Sequence, residues 1–198
     1  MPAFVNNTLQ VNNEGEANTT AKMCVPFADA LTSGYIQETW CDIHVDIDEN
    51  NVVQYRYSAN PRIIDNRMFP SIPVPSGFYP IEFFWSNQWI PKTPRGYSVL
   101  YTHPFNHTDL PFFSLTGIVD SDKYFTEGQS AHPFYIKEGF TGIIPQGTPM
   151  LQIIPFKRDD WKSEFADFDE DYPIKAKLVK KNFYAGYKKN FWTKKTYK

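Results

Sequence analysis

Cys41-Asp-Ile-His-Val-Asp-Ile47 is followed by Asp48-Glu-Asn-Asn51 and then by Val52-Val-Gln-Tyr-Arg-Tyr57. In the first stretch Ile43, Val45 and Ile47 alternate with Asp42, His44 and Asp46, the period-two pattern of a strand with one apolar and one polar face. The four residues between are a turn cluster, and the second stretch is β-branched and aromatic. Together they predict an antiparallel β-hairpin, and the rest of the chain extends the theme. Residues 61–111 hold nine prolines, a density that helices do not survive. Aromatic runs such as Ile81-Glu-Phe-Phe-Trp85 and Tyr97-Ser-Val-Leu-Tyr101 still recur there as short strands with rigid connections.

Further strands are expected over Ser114 to Val119 and His132 to Lys137. A last pair, Gly142 to Ile144 and Met150 to Ile154, flanks the turn Pro145-Gln-Gly-Thr-Pro149. Short strands at this spacing imply a sandwich or barrel. Aromatics at 17% of the 198 residues favour strands as well. A short helical turn is expected over Val25 to Leu31, closed by Ser33-Gly34. After Pro155 a helix is expected over Arg158 to Phe168, with Asp159 and Asp160 in its first turn. Beyond Pro173, Ile174, Leu178, Phe183, Tyr187 and Phe191 form an imperfect amphipathic stripe that Gly186 weakens.

The net charge of −2 gives no electrostatic case for nucleic acid, but its distribution is uneven. Residues 172–198 carry nine Lys and no Asp or Glu; the other 11 Lys and Arg against 22 acids leave residues 1–171 at −11. Residues 159–171 alone hold seven acids and one Lys. Such blocks fold onto each other or bind different partners. Cys24 and Cys41 make neither a disulfide framework nor a zinc set, and point to a reducing compartment. Residues 1–22 are polar, with no signal-peptide core, and no run approaches a membrane span. The expectation is a cytoplasmic protein that makes no membrane contact.

His44 and Asp46, two apart on one strand face, suit two ligands of a 2-His-1-carboxylate iron site, with His103, His107 and His132 all available as the distant third and His103 taken first. A solvated polar strand face explains the same residues without metal. His103-Pro-Phe-Asn-His107 contains a proline, so it is a loop rather than a metal-binding helix face. No glycine-rich phosphate loop and no nucleophile elbow is present.

Gly117-Ile-Val-Asp-Ser-Asp-Lys-Tyr124, then Gly139-Phe-Thr-Gly-Ile-Ile-Pro-Gln-Gly-Thr-Pro-Met-Leu-Gln-Ile-Ile154, and Pro94-Arg-Gly-Tyr-Ser-Val-Leu100 before them, resemble the dUTPase and dCTP deaminase superfamily. The resemblance covers about residues 90–156 and implies a β-clip fold. It would make Asp120 the carboxylate that orients an attacking water, Tyr124 the ring under the base, and Gln152 a phosphate contact. It also implies magnesium on a nucleoside triphosphate. The family's Pro-Arg-Ser-Ser phosphate signature is replaced by His103-Pro-Phe-Asn106. Thr102-His-Pro-Phe-Asn-His-Thr-Asp-Leu-Pro-Phe-Phe113, Lys157-Arg-Asp-Asp-Trp161 and Tyr187-Lys-Lys-Asn-Phe-Trp192 are similar to small proteins of marine tailed phages, which implies a phage-encoded chain placed in the host cytoplasm or virion.

The Lys pairs and aromatics of the tail suit a partner surface made of Lys188, Lys189, Phe191 and Trp192. Single-stranded nucleic acid is the less favoured occupant, because the tail has no Arg. A homo-oligomer or a protein partner is the favoured one. The full expectation is an antiparallel β-sandwich or jelly-roll-like β-clip over residues 23–156, between a polar arm (1–22) and a helical, acidic-then-basic extension (157–198). Its expected function is non-catalytic binding or assembly, with no cofactor. The alternatives are a magnesium-dependent dUTPase-like enzyme and an iron-dependent oxygenase or cupin-like metal protein.

Overall fold

The computed structural model describes residues 2, 5, 24–50, 52–67, 69–87, 89–124, 130–181 and 186–197. The arm expected over residues 1–22 therefore lies almost wholly outside the described residues. The chain divides into two compact units, Gly34–Arg158 and a second made of Met1–Ser33 with Asp159–Lys198.

The first unit is mainly antiparallel β. Its strands are β1 (Tyr35–Glu38), β2 (Ile43–Ile47), β3 (Val53–Tyr57), β4 (Ile64–Arg67), β5 (Glu82–Asn87), β6 (Tyr97–Thr102), β7 (Phe112–Ser114), β8 (Gly117–Val119), β9 (Ser130–Ile136), β10 (Gly142–Ile144) and β11 (Pro149–Lys157). They form sheets of order β1-β11-β6-β8, β10-β2-β3 and β4-β5-β9-β7. One apolar core draws on all three sheets, consistent with a β-sandwich: Ile43 and Val45 from β2, Trp85 from β5, Tyr101 from β6, Phe134 from β9 and Leu151 from β11.

The hairpin forms as its alternation predicts, with Ile43 opposite Tyr57 and Ile47 opposite Val53. Ile43 and Val45 are buried while Asp42, His44 and Asp46 face outward. Asp48 closes the turn by accepting the Asn50 and Val52 N–H groups, each at 2.9 Å. The β5 residues are buried on both faces. Trp85 stacks on Phe134 at 3.7 Å between centroids, and its indole N–H donates to Ser114 Oγ at 2.9 Å. Ser114 in turn donates to the Met150 carbonyl at 2.8 Å, which ties β5 and β7 to β11.

Three expectations are corrected. The strand expected over Ser114 to Val119 is two strands in different sheets, because Leu115 turns its N–H to the Pro133 carbonyl of β9 at 2.8 Å. Thr116 then bonds Thr102 of β6 through their hydroxyls at 2.9 Å. The 145–149 turn exists, but β10 and β11 do not pair with each other. Buried Thr39 claims the turn: its N–H donates to the Thr148 carbonyl, its hydroxyl to the Pro145 carbonyl, and its carbonyl accepts from Gly147 N–H. β10 therefore pairs with β2, and β11 lies between β1 and β6. Gly34, before β1, has φ +66°, and a Cβ there would meet the Ile153 carbonyl oxygen at 2.2 Å.

The second unit holds α1 (Val25–Thr32), α2 (Tyr172–Lys181) and α3 (Gly186–Asn190). The α1 helix falls where the sequence places it. The third correction is Arg158 to Phe168, which is not helical. A helix there sets Asp160 against Glu164 at i,i+4 and Glu164 against Asp167 at i,i+3, both repulsive pairs. Helices this short are marginal unless an apolar face is buried, and here Trp161, Phe165 and Phe168 are exposed. Gly186 has a packing role: a Cβ there would meet the Val179 carbonyl oxygen at 2.0 Å, so α3 starts hard against α2. Phe183 of the expected stripe lies outside the described residues. Among the described residues no helix is long and apolar enough to cross a membrane.

Candidate functional site

Asp120 directly follows β8, beside the start of β6, where Gly96 turns the chain. Its Oδ1 accepts the Ser98 hydroxyl at 2.6 Å and Arg158 Nη1 at 3.1 Å. Arg158, just past β11, also reaches Asp122 Oδ1 at 2.9 Å and the Tyr97 carbonyl at 2.9 Å. Asp122 accepts the Gly96 N–H at 2.8 Å. The arginine fork and the Gly96 N–H hold the Asp122 carboxyl down to about 2. The Ser98 hydroxyl, then the Arg158 charge, lower that of Asp120. Lowering its pKa makes Asp120 a weaker base, which works against its activating a water.

The structure separates the residues that the dUTPase-like resemblance groups together. Tyr124 stays with Asp120, one turn on, its N–H donating to the Asp120 carbonyl at 2.8 Å and its ring exposed. Gln152 is fully buried in the middle of β11, opposite Thr102, and its Oε1 accepts the Phe105 N–H at 2.8 Å. Ser98, which holds Asp120, lies four residues from Thr102 along β6. That is about 13 Å at strand rise. Gln152 shapes the 103–107 loop rather than facing Asp120.

The proposed metal ligands do not converge either. His44 sits on the exposed face of β2 opposite Arg56, and Asp46 pairs with Arg56 at 2.5 Å. His103 commits both ring nitrogens, Nε2 to the His107 carbonyl at 2.9 Å and Nδ1 to the Ser114 N–H at 3.3 Å. Burial pushes its pKa down. Among the described residues no group of three His, Cys, Asp or Glu side chains is placed to hold a metal ion, so His44, Asp46 and His103 do not fit an iron centre. Open clefts indent this unit, and two of them are near 500 Å³. One, of about 520 Å³, has His44, Arg56 and Trp40 in its wall. The other, of about 500 Å³, is lined by Leu110, Phe140 and Ile143 among others. Neither takes in Asp120, Tyr124 or Gln152.

The second unit presents a different chemistry. Trp192 is held inward: its indole N–H donates to Asp29 Oδ2 of α1 at 2.9 Å, and Lys195 Nζ bonds the same oxygen at 2.6 Å. The Lys195 hydrogen bond leads the forces that lower the Asp29 carboxyl. Lys188 and Lys195 lie 5.6 and 5.7 Å from the Trp192 ring, within cation–π range. Lys189 and Phe191 face outward, with Phe191 45% exposed. Ile174 and Leu178 of α2 and Tyr187 of α3 are exposed too. Ahead of them Trp161 is 90% exposed, Phe165 fully and Phe168 74%.

Sequence reasoning placed that aromatic trio inside an expected helix, Arg158 to Phe168, and did not single it out as exposed surface. The available signal was its spacing inside an acidic run, at 161, 165 and 168. No protein-family model, curated protein or solved structure matches the chain.

Proposed function

We propose that this protein is a non-catalytic binding or assembly protein that works through the surface of its C-terminal segment. The observation that carries the reading is the run of exposed aromatic and aliphatic side chains from Trp161 to Phe191, set among acids and then lysines. Large apolar patches rimmed by charge mark protein contact sites, and aromatics supply most of the binding energy in such sites. The β unit contributes rigidity. Its polar side chains Asp120, Gln152 and His103 are spent on internal hydrogen bonds.

Sedimentation velocity of the full chain over a range of concentrations tests the proposal, alongside a variant carrying Lys189→Glu and Phe191→Ala. Concentration-dependent association that the two substitutions weaken is the expected result. A monomer at every concentration, with no partner that distinguishes the two proteins, refutes it.

A nucleotide-handling reading keeps one supporting observation, the exposed Tyr124 ring one turn from Asp120. Thermal melting with dUTP or dCTP and magnesium separates it from the first. A saturating ligand at a hundred times its Kd adds about 2.7 kcal/mol, a plain rise in midpoint. The assembly reading predicts no rise.

A further inference from the structure

We infer that residues 159–172 of one copy fold into an amphipathic helix against the Lys-rich α2–α3 surface of a second copy. The inference rests on the assembly reading and names its partner. Asp159-Asp-Trp-Lys-Ser-Glu-Phe-Ala-Asp-Phe-Asp-Glu-Asp-Tyr172 places Trp161, Phe165, Phe168 and Tyr172 at intervals of four, three and four. That interval puts all four side chains on one face of a helix and the acids on the rest. In this structure the segment is not helical as far as Asp169, and all four aromatics are exposed. What blocks the helix is the acidic repulsion and the absence of a cover for the aromatic face. A partner that brings both positive charge and apolar surface removes both obstacles at once.

The α2–α3 pair has that chemistry. Residues 159–171 carry seven acids and one Lys, whereas residues 172–198 carry nine Lys and no acid. Exposed Ile174, Leu178, Tyr187 and Phe191 lie among exposed Lys175, Lys177, Lys180, Lys188 and Lys189 on the two helices and just beyond them. As a helix, the 14 residues from Asp159 to Tyr172 would span about 21 Å, enough to cover the roughly 15 Å of α2. One contact of this kind is already made locally, where Lys175 Nζ meets Asp169 at 2.6 Å and Phe168 meets Tyr172 edge to face.

The chain's own helices are the poorer cover. Pro173 in the first turn of α2 bars the acidic segment from continuing that helix. The junction is fixed by Tyr172 N–H to the Asp169 carbonyl and Asp171 N–H to Asp169 Oδ1, each at 2.9 Å, and it leaves the aromatic face uncovered. A second copy offers the same basic face with no such tether. Two copies related by a two-fold axis would make the contact twice.

The test uses full-length variants in sedimentation velocity and far-ultraviolet circular dichroism. Phe165→Ser with Phe168→Ser should weaken association at least about tenfold, as expected for two anchor aromatics. It should also remove a gain in helix signal that wild type shows as its concentration rises. A charge-reversal pair gives the sharper result. One variant carries Asp160→Lys, Glu164→Lys and Asp167→Lys; the other carries Lys177→Glu, Lys180→Glu and Lys188→Glu. Each should be monomeric alone, and their mixture should associate, which misfolding of either variant cannot produce. A mixture that stays monomeric overturns the inference. So does helix signal in wild type that is independent of concentration. Association that survives the Phe165 and Phe168 changes but is lost with Lys189→Glu and Phe191→Ala also overturns it, while leaving the assembly reading intact.

Discussion

Acid should destabilise the β unit through His132. His132 lies on β9 opposite Trp85, is buried, and packs on Tyr101 with ring centroids 4.2 Å apart. Burial pushes its pKa down to about 4 and that of Tyr101 up to about 12, both marks of a site that resists charge. The ring is therefore neutral when folded and takes a proton near pH 6.5 when unfolded. Its contribution is complete above pH 6.5 and is lost as the pH falls from 6.5 to 4. At about 1.4 kcal/mol for each tenfold in proton affinity, that drop is worth about 3 kcal/mol. His103 and His107, also lowered by burial, act in the same direction. Asp120 and Asp122, both held down, titrate below this window. Urea unfolding of wild type and His132→Gln at intervals between pH 7.5 and 4 reads the effect. Wild type should lose about 3 kcal/mol more than the variant over that range, whatever their difference at pH 7.5. Parallel pH profiles would refute the assignment of a buried, neutral His132.

Two other substitutions probe the packing. Ser114→Ala removes the acceptor of the Trp85 indole N–H and the donor to the Met150 carbonyl. It should cost about 1–3 kcal/mol in urea unfolding, the price of a buried polar group left unpaired. Gly186→Ala drives a methyl into the Val179 carbonyl and should separate α3 from α2, read as faster proteolysis within residues 172–197. Unchanged cleavage would mean that the close approach of the two helices is wrong.

How much of this was legible before the structure depends on whether the deciding force was local. The β2–β3 hairpin was legible because its alternation and turn residues lie within 17 consecutive positions. The pairing of β10 and β11 was not, because Thr39, more than a hundred residues earlier, takes the hydrogen bonds of the turn between them. The break at Leu115 was hidden for the same reason, since its partner is Pro133 on a distant strand. Arg158 to Phe168 failed differently: its helical spacing is real, but spacing alone does not supply the surface that must cover it. At the candidate sites, the dUTPase-like resemblance named Asp120 and Gln152, while residue types and spacing named His44 and His103. What the sequence could not say is that Ser98 and Arg158 hold Asp120, that the Phe105 N–H takes Gln152, and that the His107 carbonyl and the Ser114 N–H take His103. Trp192 was read as partner surface, whereas Asp29 anchors it within the same unit.

The central claim is that contact is made by residues 161–191 and not by the neighbourhood of Asp120. Hydrogen–deuterium exchange of the full chain tests it most directly, at low and high protein concentration and with dUTP and magnesium. The account predicts that protection grows with concentration over residues 159–191 and that nucleotide changes nothing over residues 96–124. Protection of residues 96–124 by nucleotide, with the C-terminal segment indifferent to concentration, would contradict it.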